Sequence, residues 1–216
     1  LLHLPVSAQQ SGDRILIVFA RYPRLGLVKT RLGASLGEEA ALAFHERSLR
    51  ILLQRLSVFP ARRCLYLGGC SPTEADELIA DLAEPFGFEG RLQGEGDLGS
   101  RLIQAFHEVW REGRRVVFLG SDAPTIPLGY VEGAFRALAH LPVVLGPATD
   151  GGYYLLGLER PQDHLFEVEW GTPQVLAQTV GRLEPGRFAL LPEWFDVDGV
   201  TDLDRLRSGV EPWNSE

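Results

Sequence analysis

The chain has 216 residues, 45% of them hydrophobic, which on length alone supplies one sizeable core or two small ones. A formal net charge of −8 argues against nucleic-acid binding and against anionic membranes, since both partners need a broad basic face. No apolar run approaches a membrane span, and the two cysteines, Cys64 and Cys70, form neither a disulfide framework nor a C-x-x-C pair, so a cytoplasmic location is expected.

Residues 1–13 lack the charged start of a signal peptide and read as a loosely attached tail. Residues 14–20 are a continuous apolar run, as expected of a strand covered on both faces. A loop follows, and residues 37–58 then carry helical periodicity. Strand two is expected at 63–67. Ser71-Pro72-Thr73-Glu74 is a capping box with proline at the first helical position, opening a helix to about residue 83. A short strand at 88–92 leads through a glycine-rich turn into a helix ending near Trp110. A buried strand at 116–119, a helix at 127–138 and a strand at 142–145 come next. After Asp150-Gly151-Gly152 a strand is expected at 153–158, then a helix from Thr172-Pro173 to about Gly181. A last strand at 188–191 and a short helix opened by Thr201 complete a single domain over 14–210, with 211–216 as a second tail.

Alternating β and α elements imply a three-layer α/β sandwich with a mainly parallel sheet. In such sheets the ligand lies beyond the carboxyl ends of the strands. Every motif below falls at such an end or in the loop after it.

Lys29 is the only lysine, set against 20 arginines. A compact ammonium on a flexible stem is a different tool from a planar guanidinium. Between Arg14 and Gly37 the cations Arg14, Arg21, Arg24, Lys29 and Arg31 stand without a carboxylate. A cationic loop on an acidic body suits a compact anion such as phosphate. The spacing is not that of a P-loop, because G-x-x-x-x-G-K is absent. Lys29, Arg31 and Arg21 are therefore the phosphate-binding candidates, with a solvated basic loop as the bland alternative.

Gly94-x-Gly96-x-x-Gly99 formally matches a dinucleotide fingerprint. It lies on the third βα unit rather than the first, and Asp97 would set a carboxylate beside a pyrophosphate. A turn lying against a nucleobase or ribose fits better, with Gln93 and Asp97 as hydrogen-bonding groups. In Gly120-Ser121-Asp122-Ala123-Pro124 an aspartate follows a buried strand, placed either to hold a metal or to cap the turn. Asp196 and Asp198 form a second acidic group, next to Thr201 or Asp202 as helix cap. Oxygen ligands of this kind suit Mg²⁺ or Mn²⁺.

His45 and His107 lie in separate helical segments and make no alternative metal site. There is no G-x-S-x-G elbow to support hydrolase chemistry through Ser121. Asp150-Gly151-Gly152-Tyr153-Tyr154 reads equally as a hairpin-like turn with core aromatics or as an acceptor site. Trp170-Gly171-Thr172 is a helix cap or the wall of an acceptor pocket.

Five stretches, in order along nearly the whole domain, carry a resemblance. They start at Phe19 (Phe-Ala-Arg-Tyr-Pro-Arg-Leu-Gly-Leu-Val-Lys-Thr-Arg-Leu), Gln93 (Gln-Gly-Glu-Gly-Asp-Leu-Gly-Ser-Arg), Gly120 (Gly-Ser-Asp-Ala-Pro-Thr), Gly146 (Gly-Pro-Ala-Thr-Asp-Gly-Gly-Tyr-Tyr-Leu-Leu-Gly) and Trp170 (Trp-Gly-Thr). The chain resembles nucleotide-diphospho-sugar transferases of the GT-A type. More narrowly it is similar to the bacterial glycosyltransferase-like group (domain of unknown function 2064 type) found beside radical-SAM and arsenosugar genes. More distantly it resembles molybdenum-cofactor and phospholactate guanylyltransferases. The resemblance implies a transferase using Mg²⁺ or Mn²⁺, with a nucleotide or nucleotide sugar and a small-molecule acceptor as partners. By that likeness Lys29 and Arg31 hold the phosphates and Asp122 the metal, with Asp198 at a second metal position; the residues themselves add Asp150 to the expected chemistry and Arg21, Gln93, Gly94, Asp97 and Arg101 around the expected nucleotide. Asp122 and Asp198, with Asp196, are the expected metal ligands. Gly151, Gly152, Tyr153, Trp170 and Thr172 are the expected acceptor residues.

Sugar transferases of this fold usually carry D-x-D, whereas Ser121-Asp122-Ala123 offers one aspartate, as nucleotidyltransferases do. Nucleotidyl transfer is the favoured reaction. Glycosyl transfer is the alternative, and a nucleotide-binding regulatory module is the third reading.

Overall fold

The computed structural model describes residues 12–209. The expected tail 211–216 and most of 1–13 therefore lie outside the described residues, though Asp13 is fastened to the sheet, its carbonyl accepting the Arg115 amide at 2.8 Å.

Seven strands form one sheet in the order β3-β2-β1-β4-β6-β5-β7. They are β1 (Arg14–Arg21), β2 (Arg62–Gly68), β3 (Glu89–Leu92), β4 (Arg115–Gly120), β5 (Val143–Pro147), β6 (Tyr153–Leu158) and β7 (Phe188–Leu190). All run parallel except β6, which is antiparallel to both β4 and β5. The helices are α1 (Thr30–Leu36), α2 (Glu38–Leu56), α3 (Pro72–Leu78), α4 (Leu98–Val109), α5 (Leu128–Ala137), α6 (Val175–Val180) and α7 (Val200–Gly209). This is the expected three-layer α/β arrangement.

The apolar run of β1 explains the layering. Leu16, Val18 and Ala20 point to one face, where α2 contributes Leu49, Leu52, Leu53 and Leu56 and α5 contributes Val131, Ala134 and Phe135. Ile15, Ile17 and Phe19 point to the other, against Leu102, Ala105, Phe106 and Val109 of α4. A strand buried on both faces has no polar alternation to show, and β1 shows none.

The predicted elements are present, with two differences. The helix α1 stands where a loop is expected, because seven residues carrying Arg31, Gly33 and Ser35 give little periodicity. The Ser71–Glu74 capping box forms as expected. Its helix, however, widens into a π turn at Ile79–Ala83 and tightens into a 3₁₀ turn at Glu84–Phe86. Pro85 has no N–H for the α-type bond that would continue it. The antiparallel direction of β6 within this mainly parallel sheet is set by the tight turn at 148–152, in which Gly151 N–H donates to Ala148 O and Ala148 N–H to Gly152 O.

The order of strands creates one crevice. From β1 the chain moves outward to β2 and β3, then returns to the other side of β1 with β4. The loops leaving β1 and β4 therefore part at their carboxyl ends, the usual ligand place in open α/β sheets.

Candidate active site

The loop after β1 ends at Lys29, which has φ 47° and ψ 46° and is the only non-glycine residue at positive φ among the described residues. That conformation costs roughly 1–2 kcal/mol for a residue with a Cβ. It is held in place by buried Val28 on one side and by the first bond of α1, Gly33 N–H to Lys29 O at 2.8 Å, on the other. The Lys29 side chain is thereby turned inward across the crevice toward the β4 loop.

Asp122 comes from that loop. Its position is fixed by Ser121 N–H donating to Phe19 O at 3.1 Å and by its own carbonyl accepting Val197 N–H at 2.9 Å. The second bond brings in the segment before α7. There Phe195 and Val197 join Leu32, Ala41, Phe44, Leu203 and Leu206 in a third apolar cluster. Alternation in this extended stretch leaves Asp196 and Asp198 on its other side. Asp202 then reaches back to accept the backbone N–H groups of Asp198 at 3.1 Å and Gly199 at 2.9 Å. Of the two cap candidates, Asp202 performs the task and so fixes the backbone that carries Asp198.

The result is one ammonium between two carboxylates. Lys29 Nζ is ion-paired with Asp122 and lies 3.0 Å from Asp198 Oδ1. The lysine side chain is 4% exposed, whereas the Asp122 and Asp198 side chains are 49% and 40% exposed. Burial alone would lower the Lys29 pKa, but the fields of Asp122 and Asp198 outweigh it and the pKa is raised. Asp196 is half-buried, and its pKa is pushed up to about 7 by burial and by the carboxylates of Asp122 and Asp150. Excess negative charge thus gathers around a single cation.

A cleft of about 630 Å³ opens above this cluster. It collects Arg21, Lys29, Arg31, Gln93, Arg101, Asp122, Trp170 and Asp198 of the residues singled out in the sequence. Gln93 is fully engaged within the protein. Its amide donates to Ala20 O at 3.0 Å and Tyr66 O at 3.1 Å, and its Oε1 accepts from Arg101 at 2.7 Å. It positions Arg101 at the cleft.

Gly94, Asp97, Asp150, Gly151, Gly152, Tyr153, Thr172 and Asp196 do not line the cleft. Local structure accounts for several of them. Asp97 caps α4, accepting Ser100 N–H at 2.8 Å. A side chain at Gly94 would collide with Gln104. Asp150 accepts Gly152 N–H at 2.9 Å within the β5–β6 turn, and a side chain at Gly151 would collide with the Pro173 backbone. Tyr154 is a core residue, and Tyr153 meets the edge of Trp170 with ring centroids 6.2 Å apart. The motif forms a hairpin-like turn between β5 and β6, and Trp170 links that turn to the cleft.

Sequence reading missed His45, Leu27 and Leu98 as cleft residues. His45 is buried on α2, its Nε2 donating to Arg21 O at 3.0 Å, and burial lowers its pKa. The signal was a histidine in line with Ala41, Ser48 and Leu52 on the buried face of α2. Leu27 and Leu98 are exposed apolar residues at the mouth of the cleft, which hydrophobic periodicity does not detect.

Val197→Ala tests the support beneath the acidic segment. It removes two buried methyl groups and should cost about 1–2 kcal/mol in urea unfolding.

A family model described as "Uncharacterized protein conserved in bacteria (DUF2064)" matches residues 52–172. The chain belongs to this family. Lys29 and Asp198 lie outside the matched stretch, Asp122 within it. Among solved structures, a DUF2064 chain of this kind is similar to a protein of Desulfovibrio desulfuricans G20 provisionally named a nucleotide-diphospho-sugar transferase. The two share 31% identity over 95% of this chain and 90% of that one, with a TM-score of 0.86. A 4-diphosphocytidyl-2C-methyl-D-erythritol synthase from Anaerococcus prevotii DSM 20548 shares the fold at 10% identity, 92% and 96% coverage and TM-score 0.59. So does Rv0371c of Mycobacterium tuberculosis H37Rv, solved in complex with manganese, at 17% identity, 92% and 100% coverage and TM-score 0.57. No curated protein matches the chain. The expected GT-A, nucleotide-diphospho-sugar transferase fold is borne out. Among the described residues no helix is long and apolar enough to cross a membrane.

Proposed function

We propose that this chain is a divalent-metal-dependent transferase that binds a nucleoside triphosphate or nucleotide sugar in the 630 Å³ cleft and transfers a nucleotidyl group to a small acceptor. The observation that carries this reading is the meeting of Lys29 and Asp122 across the β1–β4 crevice, with Arg21, Arg31 and Arg101 lining the same cleft. The arginines and Lys29 bind phosphate oxygens and stabilise the charge that develops on departing pyrophosphate. The β4 loop offers one aspartate, followed by Ala123, the pattern in which the chain resembles nucleotidyltransferases rather than the sugar transferases of this fold.

The donor set fits Mg²⁺ or Mn²⁺. The carboxylates of Asp122 and Asp198 already converge on one cation, and Asp196 is close enough to feel the charge of both. Among the described residues no three His, Cys, Asp or Glu side chains are arranged around a common point. Water and phosphate oxygens would therefore complete the coordination of an ion held by Asp122 and Asp198, assisted by Asp196. When bound, such an ion neutralises phosphate charge and polarises the phosphoryl group. The acceptor is placed toward Trp170 and the adjoining turn of Asp150, Gly151, Gly152, Tyr153 and Thr172.

Glycosyl transfer is the second reading, favoured by the name of the Desulfovibrio desulfuricans protein. A nucleoside diphosphate would then leave, and Asp150 would take the proton of the acceptor hydroxyl. The deciding measurement is product identity with a metabolite pool as acceptor. Acceptor-dependent pyrophosphate release from a triphosphate is the expected result. Diphosphate release from a nucleotide sugar without pyrophosphate would replace it with the second reading. Tight nucleotide binding with neither product would make the chain a regulatory module.

A further inference from the structure

We infer that Lys29 and the divalent cation are competing partners of the same carboxylate pair, so that nucleotide phosphate opens the metal site by drawing the lysine away. The inference rests on the metal-dependent reading above and concerns the order in which the site is filled.

Lys29 is buried, while the carboxylates it joins are both half-exposed, so those carboxylates face the cleft and the ammonium fills the space between them. They come from separate elements, the β4 loop and the segment before α7, which the Val197–Asp122 main-chain bond ties together and whose carboxylates the lysine bridges. A divalent ion bound by both would stand within ion-pair distance of the ammonium. Like charges so close repel strongly in a partly desolvated site, so one cation must yield. The lysine is the one able to move. Its carboxylate ligands are fixed by the Asp202 cap and by the Val197–Asp122 main-chain bond, whereas its four-carbon stem is flexible.

Its destination is in the same cleft. Lys29 lines that space together with Arg21, Arg31 and Arg101, where an incoming phosphate gathers. Phosphate supplies the negative charge that lets ammonium and metal coexist, one on its oxygens and the other on the aspartates. Linkage then requires that phosphate raise metal affinity by the same factor as metal raises phosphate affinity. This accounts for a lone lysine at a position flanked by arginines. A guanidinium has the charge, but its rigid planar fork is poorly suited to moving between a carboxylate pair and a phosphate.

The test is Mn²⁺ binding followed by calorimetry and by the electron-spin signal of free Mn²⁺, with inorganic pyrophosphate as the phosphate probe. Lys29→Gln and Lys29→Ala should bind Mn²⁺ alone about tenfold more tightly than wild type, a gap of about 1.4 kcal/mol. Pyrophosphate should narrow that gap. Equal or weaker Mn²⁺ binding by both variants, with binding retained by wild type, overturns the competition and leaves the metal-dependent function standing. No Mn²⁺ binding by any protein, with or without pyrophosphate, overturns both. The unaltered protein provides a second readout if the variants fold poorly, because ¹⁵N-lysine labelling gives a single side-chain ammonium signal. Addition of Mg²⁺ and pyrophosphate should shift it or expose it to solvent exchange. A signal that stays unchanged under conditions where Mn²⁺ binds overturns the proposal equally.

Discussion

Lys29→Ala is expected to weaken nucleotide binding by about 1.5–3 kcal/mol, the range for a hydrogen bond to a charged group. The lysine lies at the point where the β1 loop enters the cleft and is the cation nearest Asp122. Lys29→Arg should restore the affinity only in part. Its planar fork does not fit a space shaped for an ammonium that is 4% exposed between two carboxylates. The sequence alone suggests little loss of stability from the alanine change. The structure revises this, because removing the ammonium leaves Asp122, Asp196 and Asp198 repelling one another. Since Asp122 and Asp198 are half-exposed, solvent screens much of that repulsion, and a loss of about 1–2 kcal/mol in urea unfolding is expected. Calorimetric titration separates the two effects. Wild-type nucleotide affinity in Lys29→Ala would remove the lysine from phosphate binding whatever happened to stability.

Much of this site is legible in sequence because its parts obey local rules. The apolar run of β1 needs no partner to identify it, and neither does the Ser71–Glu74 capping box. The importance of Lys29 shows in composition alone, since a chain that uses arginine everywhere else keeps one lysine at a strand end. What sequence does not show is pairing. Nothing local to Asp198 says that Phe195 and Val197 bury themselves against α1, α2 and α7, and that burial aims the two aspartates. Nor does local pattern say that Lys29 adopts a left-handed backbone, a conformation glycine would take without strain. Asp97 shows the opposite limit. Its place in a glycine-rich turn suggested a ligand contact, and the observed bond is the ordinary cap that any aspartate before a helix can supply. His45 has no metal-ligand partner in sequence, and its place in the wall of the cleft follows only from the packing of α2 beside Arg21.

Asp122→Asn is expected to lower turnover by about 100-fold or more, the scale on which loss of a transition-state charge contact acts. The substitution conserves volume. The backbone bonds that shape the β4 turn, Ser121 N–H to Phe19 O and Val197 N–H to Asp122 O, do not involve the side chain. Folding stability should therefore change little, and Lys29 should remain paired with Asp198. The change does remove one of the two carboxylates that converge on Lys29, lowering the charge available to hold a divalent ion. Mn²⁺ affinity measured with pyrophosphate present should fall in step with turnover, and wild-type activity should vanish on chelation. Asp150→Asn provides the contrast. Asp150 sits in the neighbouring turn outside the cleft lining, so under nucleotidyl transfer its loss should leave Mn²⁺ affinity intact and depress turnover less than Asp122→Asn does. A larger fall for Asp150→Asn, with undiminished metal binding, would mark a general base and shift the assignment to glycosyl transfer.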